Sequence, residues 1–350
     1  MGEPTASPQF LKSLYLLTDE IDIEIKNIFI MKKVLGIGNA LVDILVNVKD
    51  EEIARYGLQK GGMSMIDAER KRALHAQLQD VPQVCATGGS TSNTIHALAR
   101  LGMPAGYIGK VGNDEMGDFF RREMERFGVT PHLIHSDTDT GIATTYITDD
   151  GERTFATYLG AAAEMTAEEL NPDILSQYDL IHVEGYLIFN HDLILRVCQA
   201  AKAQGLRISM DMASYNLIEE HYDFVEMLLR EYVDIIFANE EEAKAFTHKE
   251  GVEALQELSK YCPVAIVKVG KEGSFIQING EITKVEALKA DCRDTTGAGD
   301  IYAAGFLYGY LNGMSAEETG RLASWLSARM IENVGAKLPD EVWAKVPDML

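Results

Sequence analysis

A chain of 350 residues has room for one large α/β domain or two medium ones, and 46% hydrophobic with 25% charged residues is an ordinary globular balance. Against 32 Lys and Arg stand 54 Asp and Glu, a net charge of −22, with no basic segment to offset it. Nucleic acid and anionic membrane surfaces are thereby excluded as partners, while a local phosphate site made of backbone N–H groups is not.

Residues 1–30 read as an N-terminal extension foreign to the rest of the chain, disordered or non-native, with neither the basic start nor the cleavage site of a signal peptide. MKKVLGIG then begins at Met31, which reads as the natural start of a cytoplasmic enzyme. No stretch approaches the ~20 apolar residues of a membrane span. Cys85, Cys198, Cys262 and Cys292 form no CxxC pair and read as ordinary thiols of a reducing compartment.

From Met31 onward short β-branched runs alternate with helical patterns. Residues 34–38, 107–111, 180–184, 207–211, 235–239 and 264–269 read as strands. Residues 92–101, 115–127 and 191–204 read as helices, closed by Gly102, Gly128 and Gly205. Ser315 and Glu318 form a capping box for a helix running towards Asn333. The alternation predicts a mostly parallel sheet with helices on both faces. Two patches break the rhythm. Residues 43–66 alternate around a Gly-Gly pair, and 133–160 hold a hairpin turning at Asp149-Asp150-Gly151; together they predict a small β-sheet lid. Asn39, Gly112, Glu184, Asp211, Asn239 and Gly270 fall at the carboxyl ends of the main strands, where open α/β sheets bind ligands.

The stretch RDTTGAGDIYAAGF, residues 293–306, places Gly297, Ala298 and Gly299 before Asp300 at the start of an apolar helix. A helix start offers unpaired N–H groups and partial positive charge, which suit an anion. A carboxylate in the same place is most simply a cap. Beside a Gly-x-Gly cradle, however, it is what phosphoryl transfer needs: the cradle takes up developing charge and the carboxylate accepts the proton of the attacking hydroxyl.

DTTGAGDIYAAGF resembles the C-terminal signature of the PfkB, or ribokinase-like, carbohydrate and nucleoside kinases, and TGGSTSNTIHALARLG (residues 87–102) resembles their N-terminal one. The likeness runs in family order from Met31 to about Leu338. It implies a three-layer ribokinase-like domain over residues 31–350, ATP and Mg²⁺ as cofactors, and a monomer or homodimer. By the same resemblance Asp300 matches the catalytic base and Gly297, Ala298 and Gly299 the anion hole. Asp43, with Asn39 nearby in GIGNALVD, matches the acid on the sugar hydroxyls; a carboxylate can take two hydroxyl hydrogens of a cis-diol. Gly88, Gly89, Ser90 and Asn93 fall at the sugar-binding positions. FANEEEA carries Asn239 and Glu242 at the NxxE places, where one carboxylate can hold Mg²⁺ through water. KVGKEG supplies Lys268, Gly270 and Gly273 along the ATP; many members have a hydroxyl residue where Lys268 or Val269 stands. Asp294 and Thr296 resemble part of a monovalent-cation (K⁺) site.

GNALVD, TGGSTSN, GERTFATYLGAA and FANEEEA look closer to adenosine kinases than to sugar kinases. Arg153 in GERTF matches an arginine able to reach the phosphates, and Tyr186 in EGYLIF stands where an aromatic stacks on a purine. The resemblance thus implies ATP-dependent phosphorylation of a ribonucleoside 5′-hydroxyl, adenosine to AMP first. Inosine, guanosine, ribose, fructose or a related sugar are the alternatives. A dinucleotide oxidoreductase is disfavoured because Leu41 stands where the third glycine belongs, and a non-catalytic sensor because no site position is lost.

Overall fold

The computed structural model describes residues 31–349. The reading of residues 1–30 as a foreign extension lies outside the described residues. In chain order the strands are β1 (Val34–Ile37), β2 (Leu41–Asn47), β3 (Met63–Met65), β4 (Gln83–Gly88), β5 (Ala105–Gly112), β6 (Val129–Ser136), β7 (Gly141–Ile147) and β8 (Arg153–Tyr158). Then come β9 (Leu180–Val183), β10 (Arg207–Asp211), β11 (Ile235–Asn239), β12 (Val264–Lys268), β13 (Ser274–Ile278) and β14 (Glu281–Val285).

Nine strands form the main sheet in the order β14-β13-β12-β11-β10-β9-β1-β5-β6. All are parallel from β12 through β6, and the hairpin β13–β14 closes one edge antiparallel. The chemistry of the runs explains the layering, because successive residues of a strand face opposite sides. Val34, Leu180, Ile235 and Phe237 join an apolar core on one face with Ile95, Phe306 and Leu326. Leu35, Ile37, Ile181, Ile236 and Ala238 join a second core on the other face with Ile194 and Leu228. Each such side chain contributes roughly 1.5–3 kcal/mol by leaving water. Both faces are therefore covered, as the near-continuous hydrophobic strands require.

The helices Ser90–Arg100, Glu115–Arg126 and His191–Ala203 end within a residue or two of the glycines expected to stop them. The capping box holds too: Glu318 N–H donates to Ser315 Oγ at 3.2 Å, and Ser315 N–H donates back to Glu318 Oε2 at 2.9 Å. All four cysteines are free thiols.

The second sheet has five strands in the order β3-β8-β7-β2-β4. Its composition differs from the expected lid (43–66 and 133–160) in two ways. Residues 129–136 leave the helix Glu115–Arg126 and lie parallel beside β5 in the main sheet, Ala105 opposite Val129; a strand-helix-strand crossover returns the chain to the same sheet. In exchange β4 pairs antiparallel with β2, Leu41 opposite Gly88. The hairpin at Asp149-Asp150-Gly151 forms as expected, Ile147 opposite Arg153.

Strand β1 lies where the chain order reverses, with β5 and β6 on one side and β9 to β14 on the other. The crevice beyond its carboxyl end is the switch point at which such sheets bind ligands. β2 leaves that point directly, and β4 leads from the small sheet into the helix Ser90–Arg100. The small sheet is thus anchored at the crevice.

Candidate active site

The helix Ala298–Leu311 runs through the core, with Ile301, Ala304, Phe306 and Leu307 all buried. Only its first turn reaches the crevice, and that turn carries Asp300. Gly297 caps the start in the left-handed region, φ 74°, with Ala336 packed where a side chain would stand. Ser90 Oγ donates to Asp300 Oδ1 at 2.7 Å, and Asn93 Nδ2 donates to Oδ2 at 2.9 Å. Burial pushes the Asp300 carboxyl up to about 6, against the pull of those two hydrogen bonds. A carboxyl at that value can exchange a proton near neutral pH. Ala298 departs from expectation: its N–H is turned to Thr295 O at 3.1 Å. The cradle is left to Gly299 and the first-turn amides, which have no intrahelical acceptor.

Opposite Asp300 the small sheet contributes Asp43 of β2. Its carboxylate lies directly over the Gly88 α-carbon, so close that any β-carbon there would overlap it. Gly89, φ 91°, passes against the Asn39 carbonyl. The Gly-Gly pair therefore has two separate steric reasons. Desolvation raises the Asp43 carboxyl, Lys337 lowers it, and Asp300 raises it again. Lys337 Nζ donates to Asn93 Oδ1 at 2.8 Å. Asn39 stands beside the Gly-Gly pair. It is 8% exposed and its Nδ2 donates to Glu184 Oε1 at 2.6 Å. Glu184 also accepts from Thr91 N–H at 3.2 Å, joining the ends of β1 and β9 to the helix Ser90–Arg100. Burial lifts its carboxyl to about 7.

On the far side of Asp300 the ends of β10, β11 and β12 gather charge. Lys268 Nζ donates to Asp211 Oδ2 at 3.0 Å and lies 3.2 Å from the point where a Gly299 β-carbon would be. Glu242 is 4% exposed and bonded to Asn239 in both directions: Asn239 N–H and Nδ2 donate to Glu242 at 2.8 and 2.7 Å, and Glu242 N–H donates to Asn239 Oδ1 at 2.9 Å. Burial and the Asp211 charge push the Glu242 carboxyl up, while Lys268 pulls it down. Desolvation disfavours the Lys268 ammonium, yet Asp211, Glu242 and Asp300 outweigh it and keep it charged. The donor set suits Mg²⁺ of the kind that rides on phosphates: hard oxygens and a raised carboxyl that a cation would relieve. Among the described residues no group of three or more His, Cys, Asp or Glu is gathered to hold a metal unaided.

Gly270 and Gly273 bracket the short turn from β12 to β13, and Gly273, φ 94°, lies against the Val285 carbonyl. Tyr186 sits just past β9, 38% exposed, with its hydroxyl donating to Ala213 O at 3.4 Å. Burial raises its phenol, and the charges of Glu184, Glu242, Asp211 and Asp300 act in the same direction.

Arg153 of β8 reaches across from the small sheet. It pairs with Asp294 and donates to Thr296 Oγ1 at 2.8 Å. Asp294 accepts further from Thr296 N–H at 2.9 Å and Gly335 N–H at 2.6 Å. Burial opposes its charge, but the Arg153 and backbone hydrogen bonds hold its carboxyl below the usual range. The side-chain oxygens of Asp294 and Thr296, expected at a monovalent-cation site, are engaged by a guanidinium here.

Asp43, Ser90, Asn93, Gly299 and Asp300 thus share one cleft with Lys268. Asp211, Glu184 and Lys337 escaped the sequence reading as site residues. The first two were visible only as carboxylates at strand ends, and Lys337 had no signal at all in VGAKLPDE.

The profile of the pfkB family carbohydrate kinases matches residues 61–343. An uncharacterized sugar kinase of Archaeoglobus fulgidus is 31% identical over 241 residues, covering 69% of this chain and 96% of that one. The adenosine kinase of Saccharomyces cerevisiae is 28% identical over 330 residues, 87% of this chain and 96% of its own. The crystal structure of adenosine kinase from Sinorhizobium meliloti superposes with a TM-score of 0.79 at 34% identity, covering 91% of this chain and 99% of that one.

Proposed function

The chain belongs to the pfkB family of carbohydrate kinases, and on that footing we propose that it phosphorylates the 5′-hydroxyl of a ribonucleoside, adenosine first, at the expense of ATP. One observation carries the reading. Asp300, with a carboxyl near 6, stands between a diol-sized carboxylate (Asp43 over Gly88) and a cationic helix start (Gly299 with Lys268). A hydroxyl held by Asp43 would lie between a base and a place for the transferred phosphoryl group, as in-line attack demands. Asp300 takes the hydroxyl proton as the oxygen attacks the γ-phosphorus of ATP, whose bond to the β-phosphate oxygen breaks to release ADP; Ser90 and Asn93 hold the carboxylate in place. The Gly299 amide and Lys268 take up charge on the equatorial oxygens. Bound Mg²⁺ would neutralise phosphate oxygens, held through water by Glu242 with Asp211 behind it. The small sheet serves as a lid that keeps water from competing with the hydroxyl.

Adenosine is placed before a free sugar on the adenosine kinases that match 87% and 91% of this chain at 28% and 34% identity, although a probable sugar kinase from Rhizobium etli matches 91% of it at 32%. Tyr186 supports it by offering a ring at the cleft border. The sugar-kinase reading is kept alive by the Archaeoglobus relative. An ATP-consumption panel with adenosine, inosine, guanosine, ribose, fructose and fructose 6-phosphate decides. Adenosine should give the highest kcat/KM; a sugar surpassing every nucleoside would reverse the assignment.

A further inference from the structure

Lys337 lies far from both family motifs, on the segment after the helix Ala316–Met330, yet its ammonium enters the cleft. There Nζ donates to Asn93 Oδ1 at 2.8 Å, and the other end of the same amide donates to Asp300 Oδ2 at 2.9 Å. An amide can present either its oxygen or its nitrogen to a neighbour, and a cation on one side leaves only the nitrogen for the other. The groups facing Lys337 are Asp43 from β2, Asn93 and His96 from the helix Ser90–Arg100, Glu123 from the helix Glu115–Arg126, and Asp300. Burial leaves His96 neutral, so Lys337 is the cation among three carboxylates. Asp300 is also faced by Asp211 and Lys268, and Glu184 feels its charge.

We propose that Lys337 is a positioning residue for phosphoryl transfer: it locks the Asn93 amide with its NH₂ towards Asp300 and, with Lys268 on the far side of Asp300, is a counter-charge that lets Asp43 and Asp300 act side by side as carboxylates. Without it two like charges would share a desolvated cleft, and one would take up a proton. Desolvation pulls the lysine itself down, while Asp43 and Asp300 hold it up, as expected of an ammonium placed for its neighbours. The proposal rests on the assignment of Asp300 as base.

The test compares Lys337→Met with Lys337→Arg in the full chain, by two readouts. With whichever acceptor the wild type uses, Lys337→Met should lose about 10–100-fold in kcat at neutral pH, the span of a charge-assisted hydrogen bond. The acid limb of its kcat profile should move up by about one pH unit, ATP KM should hold, and Lys337→Arg should restore most of the rate. The second readout needs no substrate: aspartate carboxyl ¹³C titration, with Asp43 and Asp300 assigned by Asp43→Asn and Asp300→Asn, should move up by about one unit in Lys337→Met. If both titrations and the acid limb stay where they are in the wild type, the proposal is overturned and Lys337 is merely structural. A rise in acceptor KM alone, with kcat kept, would overturn it too, by making Lys337 a substrate contact. Were no alcohol on the panel phosphorylated, the titration would still decide the role of Lys337.

Discussion

Lys268 Nζ stands 3.0 Å from Asp211 Oδ2 and at the same time against Gly299. A carboxylate from the end of β10 thus holds a cation from the end of β12 over the start of the helix that bears Asp300. On the proposed reading that ammonium stands where the phosphoryl group would be received. Lys268→Met should therefore raise ATP KM by about 10-fold or more, the loss of one charge-assisted contact to phosphate. It should also lower Tm, because Asp211 and Glu242 lose the cation between them. Initial-rate kinetics in ATP, beside calorimetric binding of the nucleoside, separate the two sides of the cleft. An unchanged ATP KM would remove Lys268 from the phosphate site.

Asp300 should carry the acid limb of the reaction. With its carboxyl raised from 3.8 to about 6, it is largely protonated at pH 5 and largely ionised at pH 7, so kcat/KM should climb through about pH 6. Asp300→Asn keeps the size of the side chain and removes the base. We expect kcat lower by about 10²–10⁴ with nucleoside binding nearly kept, the span for a lost general base. A variant turning over at the wild-type rate would refute the assignment.

Stability should move the opposite way with pH. Asp300 rises from 3.8 to about 6 and Glu184 from 4.5 to about 7 on folding. Between the unfolded and folded values the native state binds more protons than the unfolded one. The slope of unfolding free energy with pH is negative there. The contribution of both groups is whole below about pH 4 and is lost as pH rises through about 6 to 7. Buried His96 and His182, held below the usual imidazole range, contribute the opposite slope over the same interval. The carboxyl part is therefore read by difference: in thermal melts of the substrate-free protein, Tm should fall less, or rise more, from pH 5.5 to pH 7.5 in Asp300→Asn than in the wild type. The same change in both would show that the Asp300 carboxyl is not held up by burial.

Much of this architecture could be read from the chain, and the reasons are local. Alternation such as Val34-Leu35-Gly36-Ile37 serves two cores at once, so the strands announced themselves, and Ser315 with Glu318 announced a helix start. Asp300 and its glycines were legible because an anion cradle needs those residue types in sequence. What failed was non-local. β6 was placed with the small sheet because its alternation says nothing about which sheet receives it. Asn39 Nδ2 donates to Glu184, 145 residues away, a partner that its place in GNALVD does not announce. Lys337 meets Asn93 across 244 residues, and no spacing rule connects them.

The Gly-Gly pair allows a sharp contrast. Gly88 has ordinary backbone geometry, and an added β-carbon would meet only the Asp43 carboxylate. Gly88→Ala should therefore displace Asp43, raising acceptor KM by about 10-fold or more with little change in Tm, since the overlap falls on one side-chain carboxylate and not on backbone. Gly89 is different: at φ 91° an alanine is strained, and its β-carbon would overlap the Asn39 backbone. Gly89→Ala should lower Tm by several degrees, from about 1–2 kcal/mol of strain plus the overlap. Equal effects of the two on Tm would contradict this division.

Arg153 joins the small sheet to the segment that leads into the helix Ala298–Leu311, and its partner makes the joint costly to break. Asp294 has 3% of its side chain exposed and Arg153 11%, so removing the guanidinium strands a buried carboxylate. Breaking such a pair costs roughly 3–5 kcal/mol when nothing replaces the lost charge. Arg153→Ala should therefore lower Tm markedly, while the double variant Arg153→Ala/Asp294→Ala recovers part of the loss. If the small sheet is a lid, loosening it should also admit water to the cleft. ATP hydrolysis without acceptor should then rise relative to phosphoryl transfer. The two readouts separate the roles: a fall in Tm with an unchanged hydrolysis ratio would leave Arg153 as a brace and remove it from the closing of the cleft.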